Sequence, residues 1–193
     1  MFSELDNRLI QAITEAGFEQ PTKVQEATLE LALDGHDLFV SAETGSGKTA
    51  AYLLPTFEQL LEDDEQGQIA GLVLVPTREL AQQVLTHAKS LARYTPLKLG
   101  HIGGGTDIHK QTEIIKNPPH FLVATPGRLL ELLARDLLDL SSVKTFILDE
   151  ADRLLDMGFS EDILAIAEHC SQRKQTHLYS ATLANKNLRG LAD

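Results

Sequence analysis

The 193-residue chain carries 17 Lys and Arg against 28 Asp and Glu, a formal charge of −11, with 42% hydrophobic and 23% charged residues. That length and balance suit one folded domain and exclude intrinsic disorder, and the acidity excludes a domain held to nucleic acid by bulk positive charge. The single cysteine, Cys170, cannot close an internal bridge, and neither a signal pattern nor an apolar run of about 18 residues is present, so a reducing, soluble compartment such as the cytoplasm is expected.

From the N-terminus, helical spacing predicts a helix over Ser3 to Ala16, a turn through Gly17-Phe18-Glu19-Gln20-Pro21 and a second helix from Lys23. Thr22 followed three positions later by Gln25 is a capping box, able to satisfy two backbone donors where that helix starts. The first β-prone run, Leu38 to Ala42, leads into Ala42-Glu43-Thr44-Gly45-Ser46-Gly47-Lys48-Thr49, and helical spacing follows. A glycine-rich loop between strand and helix is the setting of a phosphate loop. Gly45 and Gly47 let the main chain turn its N–H groups onto phosphate oxygens, Lys48 reaches the β- and γ-phosphates, and the Thr49 hydroxyl binds Mg²⁺. Ala42 replaces the first glycine of the GxxxxGK[ST] pattern. The structural alternative is a glycine turn with a solvated lysine.

Glu62 to Gln68 reads as an acidic exposed loop. Further strands are predicted at Leu72 to Val75, Lys98 to Ile102, Phe121 to Ala124, Thr145 to Leu148 and His177 to Ser180, separated by amphipathic segments rich in Ala, Leu, Glu and Gln. Alternation of this kind predicts an α/β sandwich, a parallel sheet between layers of helices. The run ending at Leu148 continues into Asp149-Glu150-Ala151-Asp152. Carboxylates at the C-terminal end of a parallel strand face the crevice where ligands bind, so Asp149 could hold Mg²⁺ through its water shell and Glu150 could orient or deprotonate an attacking water. Alone, three acids there equally suit a solvated strand end or a helix N-terminus. Ser160, before Glu161 and Asp162, reads as a helix N-cap, and the seven histidines show no metal-ligand spacing.

With these residues in place the sequence resembles the DEAD-box family of ATP-dependent RNA helicases, whose name Asp149-Glu150-Ala151-Asp152 spells. Gly17 to Gln25 is similar to the Q motif, Pro76-Thr77-Arg78-Glu79-Leu80-Ala81 to motif Ia, and Gly104-Gly105 to the glycine doublet. Thr125-Pro126-Gly127-Arg128 is similar to motif Ib and Ser180-Ala181-Thr182 to motif III. Lys23 stands where proline is usual, and Glu43 where glutamine is commoner. The resemblance implies a RecA-like P-loop NTPase domain that binds ATP and Mg²⁺ through Thr44, Gly45, Ser46, Gly47, Lys48 and Thr49, with Lys48, Asp149 and Glu150 catalytic. It also implies adenine recognition by the Gln25 amide, which donates and accepts at the spacing of adenine N6 and N7, with Phe18 stacked on the base. That role competes with, or shares, the capping box.

For RNA, Arg78 and Arg128 supply cations, Thr77 and Thr125 hydroxyls, and Gly104 and Gly105 a close approach of backbone to backbone; Pro76, Pro126 and Gly127 belong to the same segments. Such contacts grip sugar and phosphate without reading bases. The structural alternatives are a surface pair of Arg78 with Glu79 and an ordinary turn at Pro126-Gly127. The resemblance further implies that Asp152, Ser180 and Thr182 couple nucleotide state to RNA. Residues 1–193 are expected to be the first RecA-like domain, with the Q motif in 1–25, monomeric in isolation and without membrane contact. The second such domain, which would act in cis, is expected to lie outside this chain. The expected function is RNA-stimulated ATP hydrolysis with local duplex unwinding, and little hydrolysis by this chain alone. A non-unwinding RNA clamp or scaffold and a DNA-directed P-loop translocase remain as alternatives.

Overall fold

The β-prone runs become six short strands: β1 (Leu38–Ser41), β2 (Gly71–Leu74), β3 (Leu99–Ile102), β4 (Phe121–Ala124), β5 (Thr145–Leu148) and β6 (Gln175–Ser180). In the computed structural model, which describes residues 2–43, 45, 47–63, 67–105 and 108–182, all six pair in parallel in the order β1-β6-β5-β2-β4-β3. The helices are α1 (Asn7–Glu15), α2 (Lys23–Leu33), α3 (Lys48–Glu62), α4 (Arg78–Ala92), α5 (Ile108–Lys116), α6 (Pro126–Ala134), α7 (Ala151–Asp156) and α8 (Ser160–His169). This is the sandwich that the alternating pattern predicts.

Alternate residues of the central strands face opposite layers, and both faces are covered, as parallel sheets require. Val73, Val75, Phe121, Val123, Ile147 and Tyr179 join one core with α1, α3 and α4. Leu72, Leu74, Leu122, Phe146, Leu148 and Leu178 join the other with α6, α7 and α8. Every residue of β2, β4 and β5 is buried, Thr145 included. Phe57 and Phe121 meet edge to face with centroids 5.4 Å apart, tying α3 to the sheet.

Two sequence expectations change, and one structural alternative is not met. The single helix over Ser3 to Ala16 is a 3₁₀ turn at Phe2–Glu4 followed by α1, because Asp6 caps the helix: its carboxylate accepts from the Arg8 amide at 2.9 Å. Ser160 is not an N-cap. Phe159 takes that position and Ser160 is the first helical residue, with the Phe159 carbonyl accepting from Ile163. Pro126-Gly127 is no ordinary turn but the first turn of α6, where the missing proline N–H is no loss.

At the N-terminal edge of the sheet, His177 is fully buried with Nε2 3.0 Å from Gln175 Oε1. Burial pushes its imidazolium down to about 4 from an ordinary 6.5, outweighing Asp37 and the His36 carbonyl. Between those two values the unfolded chain binds more protons than the folded one, so stability is complete above the upper value and lost on acidification toward the lower. His87, His101 and His120, also lowered by burial, add in the same direction. The expected result for His177→Gln is a flatter acid limb in denaturant unfolding between about pH 6.5 and 4, with a difference of about 3 kcal/mol over the full span.

Candidate active site and nucleic-acid interface

Because every strand runs the same way, the loops after their C-terminal ends share one edge of the sheet. Strand order sorts them. The glycine loop before Lys48 follows β1, Ser180-Ala181-Thr182 closes β6, and Asp149-Glu150 follows β5, so these three occupy adjacent strands. Pro76-Thr77-Arg78 follows β2, Thr125-Pro126-Gly127-Arg128 follows β4, and Gly104-Gly105 follows β3, which fill the other half.

In the first half, Gly47 caps α3 in the left-handed region (φ 86°), a conformation favouring glycine. A side chain there would also collide, since a Cβ would lie 2.7 Å from Gln25 Nε2 and 2.8 Å from Thr22 Oγ1. The turn aims Lys48 at the acids: its Nζ lies 3.1 Å from Asp149 Oδ1 and donates to Glu150 Oε1 at 3.4 Å. Asp149 is 4% exposed, and its Oδ1 meets the ammonium without hydrogen-bond alignment, while Oδ2 accepts from the Tyr52 hydroxyl at 2.8 Å. Glu150 sits at φ 52°, ψ 52° and makes no capping bond to α7. Its other oxygen accepts from Arg153 at 3.2 Å. Thr49 is half-buried one residue beyond Lys48 and Gly45 is exposed at φ 83°. Thr44 and Ser46 lie outside the described residues.

The donor set suits a polyphosphate with a hard cation: one ammonium, open main-chain donors at a helix start, a hydroxyl, and a buried carboxylate oxygen lacking a hydrogen bond. Among the described residues no cluster of three or more His, Cys, Asp or Glu could hold a metal ion, so a cation here would draw most of its ligands from nucleotide and water.

Gln25 is buried, and both ends of its side-chain amide are bonded. Its Oε1 accepts from the Thr22 amide at 3.0 Å, the Thr22 hydroxyl accepts from the Gln25 amide at 3.4 Å, and its Nε2 donates to the Gly47 carbonyl at 3.0 Å. The capping box therefore exists, and the same amide steadies the glycine turn. Phe18 is half-buried, with its ring stacked on His87 at 6.1 Å.

In the second half, Pro76 is buried under the turn while Arg78 is exposed, with no ion pair to Glu79 among the described residues. A Cβ on Gly105 (φ 79°) would sit 2.7 Å from Arg78 Nη1, so the guanidinium lies across that glycine; Gly104 is exposed and open. A Cβ on Gly103 would meet Thr125 Oγ1 at 3.1 Å, bringing the third loop alongside. Thr77 caps α4 by accepting from the Leu80 amide, whereas the Thr125 hydroxyl makes no capping bond to α6. Pro126 is buried and Gly127 exposed. Arg128 is steadied by Glu131 at 3.1 Å and Gln111 at 3.4 Å. Beside Arg78 a groove of about 420 Å³ between α4, β3 and α5 adds Lys89 and Lys110. Positive charge is thus local on an acidic chain.

Of the residues expected to couple the two halves, Ser180 is buried and its hydroxyl donates to the Thr182 carbonyl at 2.8 Å, while Thr182 is exposed. No hydrogen bond among the described residues joins either to Asp152 on α7. Sequence reasoning missed Tyr52 and Arg153. The signal for Tyr52 was available: it lies four residues after Lys48, hence on the same helix face, and a hydroxyl within an apolar helical run needs a polar partner.

Comparison with known proteins agrees with the geometry. The model of the DEAD/DEAH box helicase family matches residues 22–191. The chain is 46% identical over 192 residues to the ATP-dependent RNA helicase SrmB of Escherichia coli (strain K12), covering 98% of this chain and 43% of the relative. It is 45% identical over 175 residues to the DEAD-box ATP-dependent RNA helicase CshA of Streptococcus pneumoniae, covering 91% of this chain and 33% of that one. It thus spans less than half the length of these curated relatives. The crystal structure of a hypothetical ATP-dependent RNA helicase from Sulfolobus tokodaii superposes with a TM-score of 0.89 at 41% identity, over 97% of this chain and 54% of that one. That of the RNA helicase Prp28 from Chaetomium thermophilum bound to ADP also gives 0.89, at 36% identity, over 98% and 46%.

Gln25→Leu removes two hydrogen bonds made by a buried amide and strands the donor and acceptor they served. Denaturant unfolding should show a loss of about 1–3 kcal/mol, larger than for a Thr22→Gly change that keeps the Gly47 contact.

Proposed function

The chain belongs to the DEAD/DEAH box helicase family, and we propose that it forms the first of two RecA-like domains of an ATP-dependent RNA helicase. The observation that supports this most is the bridge from Lys48 to both Asp149 and Glu150 at 3.1 and 3.4 Å, which gathers the three groups that phosphoryl chemistry needs at one edge of the sheet.

With ATP, the phosphates compete for the Lys48 ammonium, and its departure leaves Asp149 bonded to Tyr52 and Glu150 to Arg153. Glu150 then orients the attacking water and takes its proton, and Asp149 and Thr49 would hold the cation. Mg²⁺, when bound, supplies neutralisation of the phosphate charge. Gly45, Gly47 and, by sequence, Thr44 and Ser46 wrap the phosphates. Gln25 and Phe18 take the adenine, the Gln25 amide having one N–H and one oxygen lone pair beyond its present bonds. RNA crosses the other half by its backbone, against Arg78, Thr77, Gly104, Gly105, Thr125 and Arg128, with Pro76, Pro126 and Gly127 shaping the turns. Asp152, Ser180 and Thr182, at or just beyond the ends of β5 and β6, couple nucleotide state to RNA in this reading. A second RecA-like domain in cis would supply the arginine that phosphoryl transfer uses, worth about 10³–10⁵ in rate, so this chain alone should bind nucleotide and hydrolyse little of it. RNA, rather than DNA, is favoured because the relatives at 45–46% identity are named RNA helicases. The cytoplasm suits a chain whose one cysteine is a buried free thiol.

Calorimetric titration with ADP and ATP in Mg²⁺ tests the assignment. Lys48→Ala should weaken binding at least about tenfold, and Glu150→Gln should retain it. In the protein bearing both domains, Glu150→Gln should abolish turnover, and RNA should stimulate the wild type more than DNA of the same sequence. Wild-type affinity in Lys48→Ala contradicts the site.

A further inference from the structure

We propose that Tyr52 is a positioning residue for Asp149, holding one carboxylate oxygen so that the other stays presented when Lys48 turns to the phosphates. The proposal rests on the nucleotide-site reading above. Tyr52 is fully buried on α3, its ring packed at 60° against Tyr179 with centroids 5.3 Å apart. Its hydroxyl donates to Asp149 Oδ2 at 2.8 Å, and burial and then the Asp149 charge raise its ionisation well above the ordinary 10, so it stays a donor.

Asp149 has two polar partners on opposite oxygens: Tyr52 on Oδ2 and the Lys48 ammonium on Oδ1. When a polyphosphate takes the ammonium, an almost wholly buried carboxylate is left with Tyr52 alone. The terminal torsion of an aspartate is soft and roughly two-fold, so an untethered carboxylate would rotate. The hydroxyl prevents this. It fixes Oδ2 inward and leaves Oδ1, the oxygen without an aligned hydrogen bond, directed at the place Lys48 has vacated. Tyr52 should therefore govern the metal-dependent part of nucleotide affinity and leave the metal-free part alone. Packing alone would affect both equally.

The test is fluorescence titration of a labelled, non-hydrolysable ATP analogue against the wild type, Tyr52→Phe and Tyr179→Phe, each with Mg²⁺ and with chelator. The Tyr179 variant removes a buried hydroxyl from the same aromatic pair that does not bond Asp149. In Tyr52→Phe the Mg²⁺ enhancement should fall about tenfold, with metal-free affinity and the Tyr179→Phe enhancement unchanged. Equal loss with and without Mg²⁺, an unaltered enhancement, or a wild type that does not respond to Mg²⁺ overturns the role of Tyr52. A wild type that binds no nucleotide under either condition overturns the site itself. Should Tyr52→Phe fail to fold, wild-type protein labelled at tyrosine Cζ decides the matter, as the chain has 3 tyrosines. Adding Mg²⁺ to the nucleotide complex should move the Tyr52 resonance and leave that of Tyr94, bonded to Glu15 on α1, in place; a stationary Tyr52 signal is contrary.

Discussion

A carboxylate that is 4% exposed needs partners for its oxygens within the fold, and Asp149 finds them in the Lys48 ammonium and the Tyr52 hydroxyl. Much of the molecule is arranged around it. Lys48 reaches Asp149 because α3 begins at a left-handed Gly47, and Gly47 holds that turn because its carbonyl accepts from Gln25. Gln25 is aimed by the capping box that starts α2, and Asp149 is aimed by β5, which hydrogen-bonds to β6 on one side and β2 on the other. One electrostatic requirement thus joins two helices and the middle of the sheet. The proposed polyphosphate ligand would enter by taking the ammonium from carboxylates already in place.

The sheet supplies the second constraint. Parallel neighbours lie about 4.8 Å apart, so the proposed nucleotide half, β1-β6-β5, and the proposed RNA half, β2-β4-β3, meet at the β5–β2 seam with no intervening strand. In that seam Leu148 pairs with Leu74, and the Asp149 amide donates to the Leu74 carbonyl at 3.0 Å. The chain leaves the paired strands one residue before Asp149 and two residues before Pro76. The acidic loop and the backbone leading to Arg78 thus leave the sheet side by side, joined by that bond.

The six strands were legible because each is an apolar, β-prone run bounded by turn residues, and the phosphate loop and the acidic strand end because short-range spacing carries their chemistry. What was not legible is non-local. Nothing in local pattern places β6 between β1 and β5, since that depends on which strands bury which faces. The Gln25–Gly47 bond spans 22 positions and Tyr52–Asp149 spans 97, beyond any periodicity. The break at Asp6 was overlooked because the apolar spacing runs through it, although a carboxylate before Asn7-Arg8 is a capping signal. Ser160 failed for the converse reason: a favourable cap residue was one position late.

Glu150 is one of two non-glycine residues with positive φ among the described residues, and left-handed backbone burdens such a residue by roughly 1–2 kcal/mol. Glycine would occupy that corner without strain, and asparagine with less than glutamate. The replacement that relieves this strain also removes the carboxylate that Lys48 and Arg153 contact, so backbone ease and the proposed water-orienting group exclude each other at this corner.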